Sequence, residues 1–273
     1  MTPQSEKTPE EIAAAARANA KIFASSIPAD IDPARRILEQ YSGIAAENVD
    51  AHLLKIREKA WSIFPYGCIG SFSFLNLEPT LSDPLFRTIT TRLLAPGSTE
   101  TFLDVGCCFG QVIRQLIHAG VPSERLYGTD LQPRFLELGY DLFCDGDLEK
   151  SRATYVAGDM LADEDDAALD GLQGKIDIVY AASFFHLFEP GDQLKAAKRV
   201  VGFLRSGNPD VVIFGRNGGP KVEGWEKYVL DAKQWRRLWE EVGEATGTRW
   251  RTEMETEEGD DWIKVRFAVY RDL

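Results

Sequence analysis

The chain has 273 residues, 44% of them hydrophobic, and 43 acidic against 31 basic side chains give a formal charge of −12. That length suits one large α/β domain or one domain with an extension, with enough apolar residues for a real core. The acid excess argues against DNA or RNA as substrate. No apolar run approaches the roughly 20 residues that cross a bilayer, and the polar start MTPQSEKTPEE lacks the order of a secretory leader.

In chain order, residues 1–10 read as polar and disordered, and Ala-rich residues 11–23 as a helix. Asp32 before Pro33 predicts a helix start, with Ile37 and Leu38 in its body and a stop near Gly43. Val49, Leu53, Ile56 and Ala60 recur at helical spacing and predict a helix over 47–64. Residues 65–83 (PYGCIGSFSFLNLEPTLSD) are aromatic and aperiodic, and predict a loop lying over a pocket. Asp83-Pro84 caps a further helix to about Leu94, ended by Pro96-Gly97.

From Thr101 the pattern alternates. Strands are expected at 101–105, 125–130, 153–158, 175–182 and 210–215. Helices follow the first strand to about Ala119, run from Gln132-Pro133 to about Phe143, and cover 194–204 and 233–246. An acidic stretch spans 163–170, and period-two segments at 249–255 and 262–270 predict an antiparallel hairpin. Alternating β and α units imply a mostly parallel sheet. The expected division is a helical extension with a covering loop, residues 1–97, and a ligand-binding α/β domain, residues 98–273.

The four cysteines, Cys68, Cys107, Cys108 and Cys144, form no C-x-x-C, and His52, His118 and His186 are the chain's three histidines. No metal site is expected, and reduced thiols point to the cytoplasm. Asp104 closes the first strand and is followed by a turn with Gly106 and Gly110. Asp130 closes the second strand and Asp159 follows the third, 26 and 29 residues further along. In a parallel sheet these carboxyl ends converge where ligands bind.

The motifs FLDVGCCFG, LYGTDL, VAGDM and IDIVYAASFFHLF resemble those of class I S-adenosylmethionine-dependent methyltransferases, over about residues 101–270. The resemblance implies a Rossmann-like α/β fold whose seven-stranded, mostly parallel sheet ends in an antiparallel hairpin. It implies S-adenosylmethionine as cofactor, S-adenosylhomocysteine as product, and no metal. Gly106, Cys107 and the backbone to Gly110 would pack on the methionine part, with Asp104 toward its amino group. Asp130 would bond the ribose hydroxyls and Leu131 would lie on the adenine. Gly158 lies in the same stretch. Asp159 would accept from the adenine amino group, and Met160 would meet the ring. Ser183 and Phe184 would sit near the reacting centre. Cys108 stands where a third glycine is common. A dinucleotide-type G-x-G-x-x-G is absent, which disfavours a nicotinamide oxidoreductase.

Longer stretches, among them YGCIGSFSFLNL and LWEEVGEATGTRW, look like fungal secondary-metabolite methyltransferases, several of which form methyl esters. That resemblance implies a carboxyl O-methyltransferase acting on a small organic acid, and a carboxylate already ionised at neutral pH needs no strong base. The alternatives are a phenol or hydroxyl O-methyltransferase with His186 as base, and a cofactor-binding protein without turnover. Arg216 at the end of the fifth strand could pair with an acidic substrate. Tyr66, Phe72, Phe74 and Trp225, with Tyr228, could line its pocket. His118 reads as peripheral. His52 would reach the site if its helix folds back, and Trp235 and Trp239 read as core. The helical extension would either wrap the active site or pair with a second copy in a homodimer. Membrane and nucleic-acid partners are not expected.

Overall fold

The computed structural model describes residues 10, 14, 20–147, 151–162, 167–220 and 228–272. Its labelled elements are α1 (Asp32–Gln40), α2 (Ala46–Ile63), α3 (Pro84–Leu94), β1 (Phe102–Val105), α4 (Gln111–His118), β2 (Leu126–Asp130), α5 (Pro133–Phe143), β3 (Thr154–Ala157), β4 (Ile178–Tyr180), α6 (Pro190–Phe203), β5 (Val212–Pro220), α7 (Ala232–Thr246), β6 (Arg249–Glu258) and β7 (Trp262–Asp272). Short helical turns lie between several of them. The seven strands form one sheet in the order β3-β2-β1-β4-β5-β7-β6. β1 runs parallel to β2 and β4, β4 runs parallel to β5, and β7 is antiparallel to both β5 and β6. None of the described helices is long and apolar enough to cross a membrane.

The described residues gather into two units. The first comprises residues up to Ser98 with Cys107–Glu124 and Gln132–Tyr155. Here Val49, Leu53, Ile56 and Ala60 give α2 its buried stripe as their spacing predicts. Asp83 caps α3 by accepting from the N–H groups of Leu85 and Phe86. α1 begins at Asp32 itself, and Gly43 follows it with φ at 75°.

The aromatic segment at 65–83 departs from the expected loop. It folds into short helical turns, Gly67–Gly70, Ser73–Leu75 and Glu78–Ser82. Its rings turn inward: Phe72 is fully buried and Phe74 nearly so. Burying large rings outweighs the weak local periodicity. Most of the helix expected over 11–23 lies outside the described residues; within them, Ala20–Ile22 forms a 3₁₀ turn.

The second unit comprises Thr99–Gly106, Arg125–Leu131 and the chain from Val156 onward. Leu103, Val105, Val179 and Ile213 build a core with Phe185, Trp235, Trp239 and Phe267, so the two tryptophans are core as expected. Asp177 latches the entry of two strands. Its carboxylate accepts from the N–H and hydroxyl of Thr101, from Arg205 Nε and from Asn208 Nδ2, at 2.8–3.0 Å. Two expectations shift. α6 starts four residues early at Pro190, and β5 continues to Pro220 because β7 pairs with it through nine successive positions.

Candidate functional site

The sheet order reverses between β1 and its neighbours β2 and β4, and open α/β sheets take ligands at the strand carboxyl ends of such a reversal. In the second unit, Asp104 is 4% exposed within β1. Gly106 follows with φ at 71°, and its N–H donates to the Thr129 carbonyl at 2.8 Å. A Cβ at Gly106 would come within 3.2 Å of the Phe184 ring, so backbone alone fits that spot.

Asp130 ends β2, and the exposed Leu131 follows it. The Asp130 carbonyl accepts from the N–H of Gly158 at 3.0 Å, which sets the 158–160 turn beside β2. Asp159 Oδ1 accepts from the N–H of Leu161 at 2.8 Å, and Met160 is buried. Arg199 on α6 donates to the carbonyls of Asp159 and Ala162 at 3.2 and 2.7 Å. Arg199 was not foreseen. It looks like any charged helix residue until the turn it holds is known.

After β4, Ser183 is exposed at φ 54°, and its N–H donates to the Arg216 carbonyl at 2.7 Å. His186 lies in the turn Phe185–Leu187 and is 2% exposed. Its Nδ1 accepts from the N–H of Gly218 at 3.0 Å. A neutral imidazole that accepts at Nδ1 carries its proton on Nε2, so the far edge of this ring is a donor.

Burial pushes the Asp104 carboxyl well above the usual range, and the charge of Asp130 pushes it the same way. Such a group resists ionising until a cation approaches. Arg216 does not end its strand. It sits within β5 opposite Arg266, and strand alternation puts Asn217 on the other face. Asn217 is buried, and its Oδ1 has no hydrogen-bond partner among the described residues. Trp225 lies outside the described residues.

The first unit holds the rest. Cys107 is buried, and Cys108 adopts a left-handed φ of 54°. Gly110, at φ 67°, donates its N–H to the Cys107 carbonyl at 2.7 Å and begins α4. Tyr66 is half-buried against Phe64 and Phe135, with centroids 4.4 and 5.9 Å away. Phe72 lies under the Arg57 guanidinium and Phe74 against Phe109, both as core rather than surface. His52 Nε2 meets the Leu142 carbonyl at 2.9 Å, tying α2 to α5, and His118 is exposed at the end of α4. None of the four cysteines forms a disulfide. Among the described residues no group of three His, Cys, Asp or Glu side chains is placed to hold a metal.

The structure thus gathers Asp104, Gly106, Asp130, Leu131, Gly158, Asp159, Met160, Ser183, Phe184 and His186 in one unit. Most lie where β1, β2, β3 and β4 end.

Residues 22–75 match a family described as the meroterpenoid methyltransferase N-terminal domain, and residues 102–207 match a methyltransferase domain family. The chain is 42% identical over 243 residues to the O-methyltransferase phiE of a fungal species, covering 86% of this chain and 78% of that one. The O-methyltransferase atr3 of Stereocaulon alpinum is 40% identical over 263 residues, covering 89% and 74%. The asnovolin E/chermesin D methyltransferase nvfJ of Aspergillus novofumigatus is 38% identical over 255 residues, covering 88% and 89%.

Proposed function

We propose, for a chain that belongs to the class I S-adenosylmethionine-dependent methyltransferases and within them to the O-methyltransferases of fungal secondary metabolism, that it forms a methyl ester on the carboxylate of a small organic acid. When bound, S-adenosylmethionine supplies an electrophilic methyl group on a sulfonium. The residues fit that cofactor. Gly106 leaves a cradle that a Cβ would narrow against Phe184, and the buried Asp104 carboxyl suits the amino group of the methionine part. Asp130 is the candidate for the ribose diol, where a carboxylate accepts two strong O–H bonds. Leu131 and Met160 offer apolar surface to the adenine. Asp159, whose Oδ1 accepts from the N–H of Leu161, is the candidate for the adenine amino group.

The observation that carries the carboxylate reading is the Gly218 N–H donating to His186 Nδ1. The lone pair that a phenol base needs is already engaged. A carboxylate acceptor is already ionised and needs no such base. Methyl transfer then rests on alignment, which supplies roughly 7–11 kcal/mol in well-oriented systems. Arg216 and Trp225 remain candidate acceptor contacts, and Tyr66 is a separate candidate in the first unit. Phe72 and Phe74 serve as packing. The N-terminal match ends at residue 75 and the second begins at 102, which supports a domain boundary near residue 98. Cysteines that remain thiols support a cytoplasmic setting.

The test is turnover with labelled cofactor on a panel of small carboxylic acids and phenols. Base-labile methyl esters are expected, with kcat/KM flat between about pH 6 and 8.5. His186→Gln, which keeps an N–H donor, should retain activity within about ten-fold, whereas loss of a general base costs about 10²–10⁴-fold. Ether products with a rate rising through the histidine range would replace the carboxylate reading by the phenol one.

A further inference from the structure

The charged cluster behind the glycine turn belongs to the first unit and is unlike a surface ion pair. Arg114 and Asp145 are both fully buried. Arg114 Nε and Nη2 donate to the two oxygens of Asp145, each at 2.9 Å. Its remaining nitrogen, Nη1, donates to the Phe109 carbonyl at 2.9 Å, inside the turn between Gly106 and Gly110. Tyr41, which ends α1, donates its hydroxyl to Asp145 Oδ2 at 2.7 Å. Burial holds that hydroxyl protonated, and the Asp145 carboxylate acts in the same direction. The Tyr155 ring lies 4.5 Å from the guanidinium carbon, with Phe143 and Tyr140 just beyond.

The turn is enclosed by these groups. A Cβ at Gly110 would collide with the Arg114 guanidinium and, at 2.6 Å, with the Tyr155 ring. A Cβ at Gly139 of α5 would come within 2.5 Å of the same Phe109 carbonyl oxygen. With the Gly110 N–H bonded to Cys107, both sides of the Phe109–Gly110 peptide are fixed. Two buried charges cost several kcal/mol each to desolvate, and hydrophobic replacements often stabilise as well or better. A purely structural role is therefore a weak reason to keep them.

We propose that Arg114 is a positioning residue for the cofactor turn, and that Tyr41 and Asp145 relay the N-terminal helices to it. α1 would thereby set cofactor affinity through Asp145, Arg114 and the Phe109 carbonyl. This rests on the reading that S-adenosylmethionine binds at the turn. The experiment is calorimetric titration of the full chain with S-adenosylhomocysteine, alongside KM for the acceptor at saturating cofactor. Arg114→Lys keeps the charge but cannot serve Asp145 and Phe109 together. It should weaken binding about 10–50-fold, and Tyr41→Phe about 3–5-fold, with acceptor KM within two-fold in both. Parent-like affinity in folded Arg114→Lys overturns the proposal, as does a matching loss in acceptor KM. Should Arg114→Lys fail to fold, unchanged affinity in Tyr41→Phe overturns it equally. A parent chain that binds no S-adenosylhomocysteine instead sinks the cofactor reading underneath.

Discussion

Cys108 occupies a backbone conformation that glycine adopts freely, at φ 54° in the turn after β1. A left-handed non-glycine residue costs about 1–2 kcal/mol, partly offset by the greater chain entropy glycine would lose on folding. Cys108→Gly is therefore expected to raise stability by up to ~1 kcal/mol, and the β-branched Cys108→Val to lower it by about 1–3 kcal/mol. Urea midpoints of the two variants against the parent measure both. This residue was legible in advance, because the resemblance to methyltransferases marked its place as one where a third glycine is common. Arg114 was not. One arginine within an amphipathic helix reads as a solvated charge, and its partner Asp145 lies 31 residues away, beyond any helical or strand period.

Elements were legible where local pattern and final packing agree. α2 and α3 appear within a residue of the expected bounds, and β1, β2 and β3 start or end within one residue of theirs. The segment at 65–83 was not, because its rings are buried by partners such as Arg57 and Phe109 that no local period encodes. β5 outran its expected end for a similar reason, its length being set by pairing with β7. At the start of β4, burial raises the Asp177 carboxyl, but Arg205, Thr101 and Asn208 outweigh it and hold the group below its ordinary range. A depressed carboxyl stabilises above its unfolded value, about pH 3.9, and that gain is lost as pH falls through the folded value. Asp177→Asn should cost about 1–3 kcal/mol at pH 7. The gap between parent and variant in urea midpoints should shrink below about pH 4. A gap that stays constant from pH 7 to pH 3 would show that the latch does not depend on charge.

At the scale of the whole molecule, a net charge of −12 acts on every charged reactant. An anionic acceptor meets a repulsive field, and raising ionic strength from about 20 to 200 mM shortens the Debye length from roughly 20 Å to under 10 Å. Under subsaturating acceptor, kcat/KM should rise about two- to five-fold over that range for carboxylates and stay flat for neutral phenols. Stopped-time assays at matched cofactor saturation would show it. Composition carries this expectation, whereas the acceptor itself depends on side chains that no bulk property reports. The brace formed by Tyr41, Arg114 and Asp145 also has a history in time. Tyr41 and Asp145 are 104 residues apart, so a ribosome adding about 5–20 residues per second delivers the second roughly 5–20 seconds after the first. Arg114 emerges before its counter-charge and cannot bury itself alone. The helices at the amino end can therefore close this brace only after the carboxylate of Asp145 has left the exit tunnel.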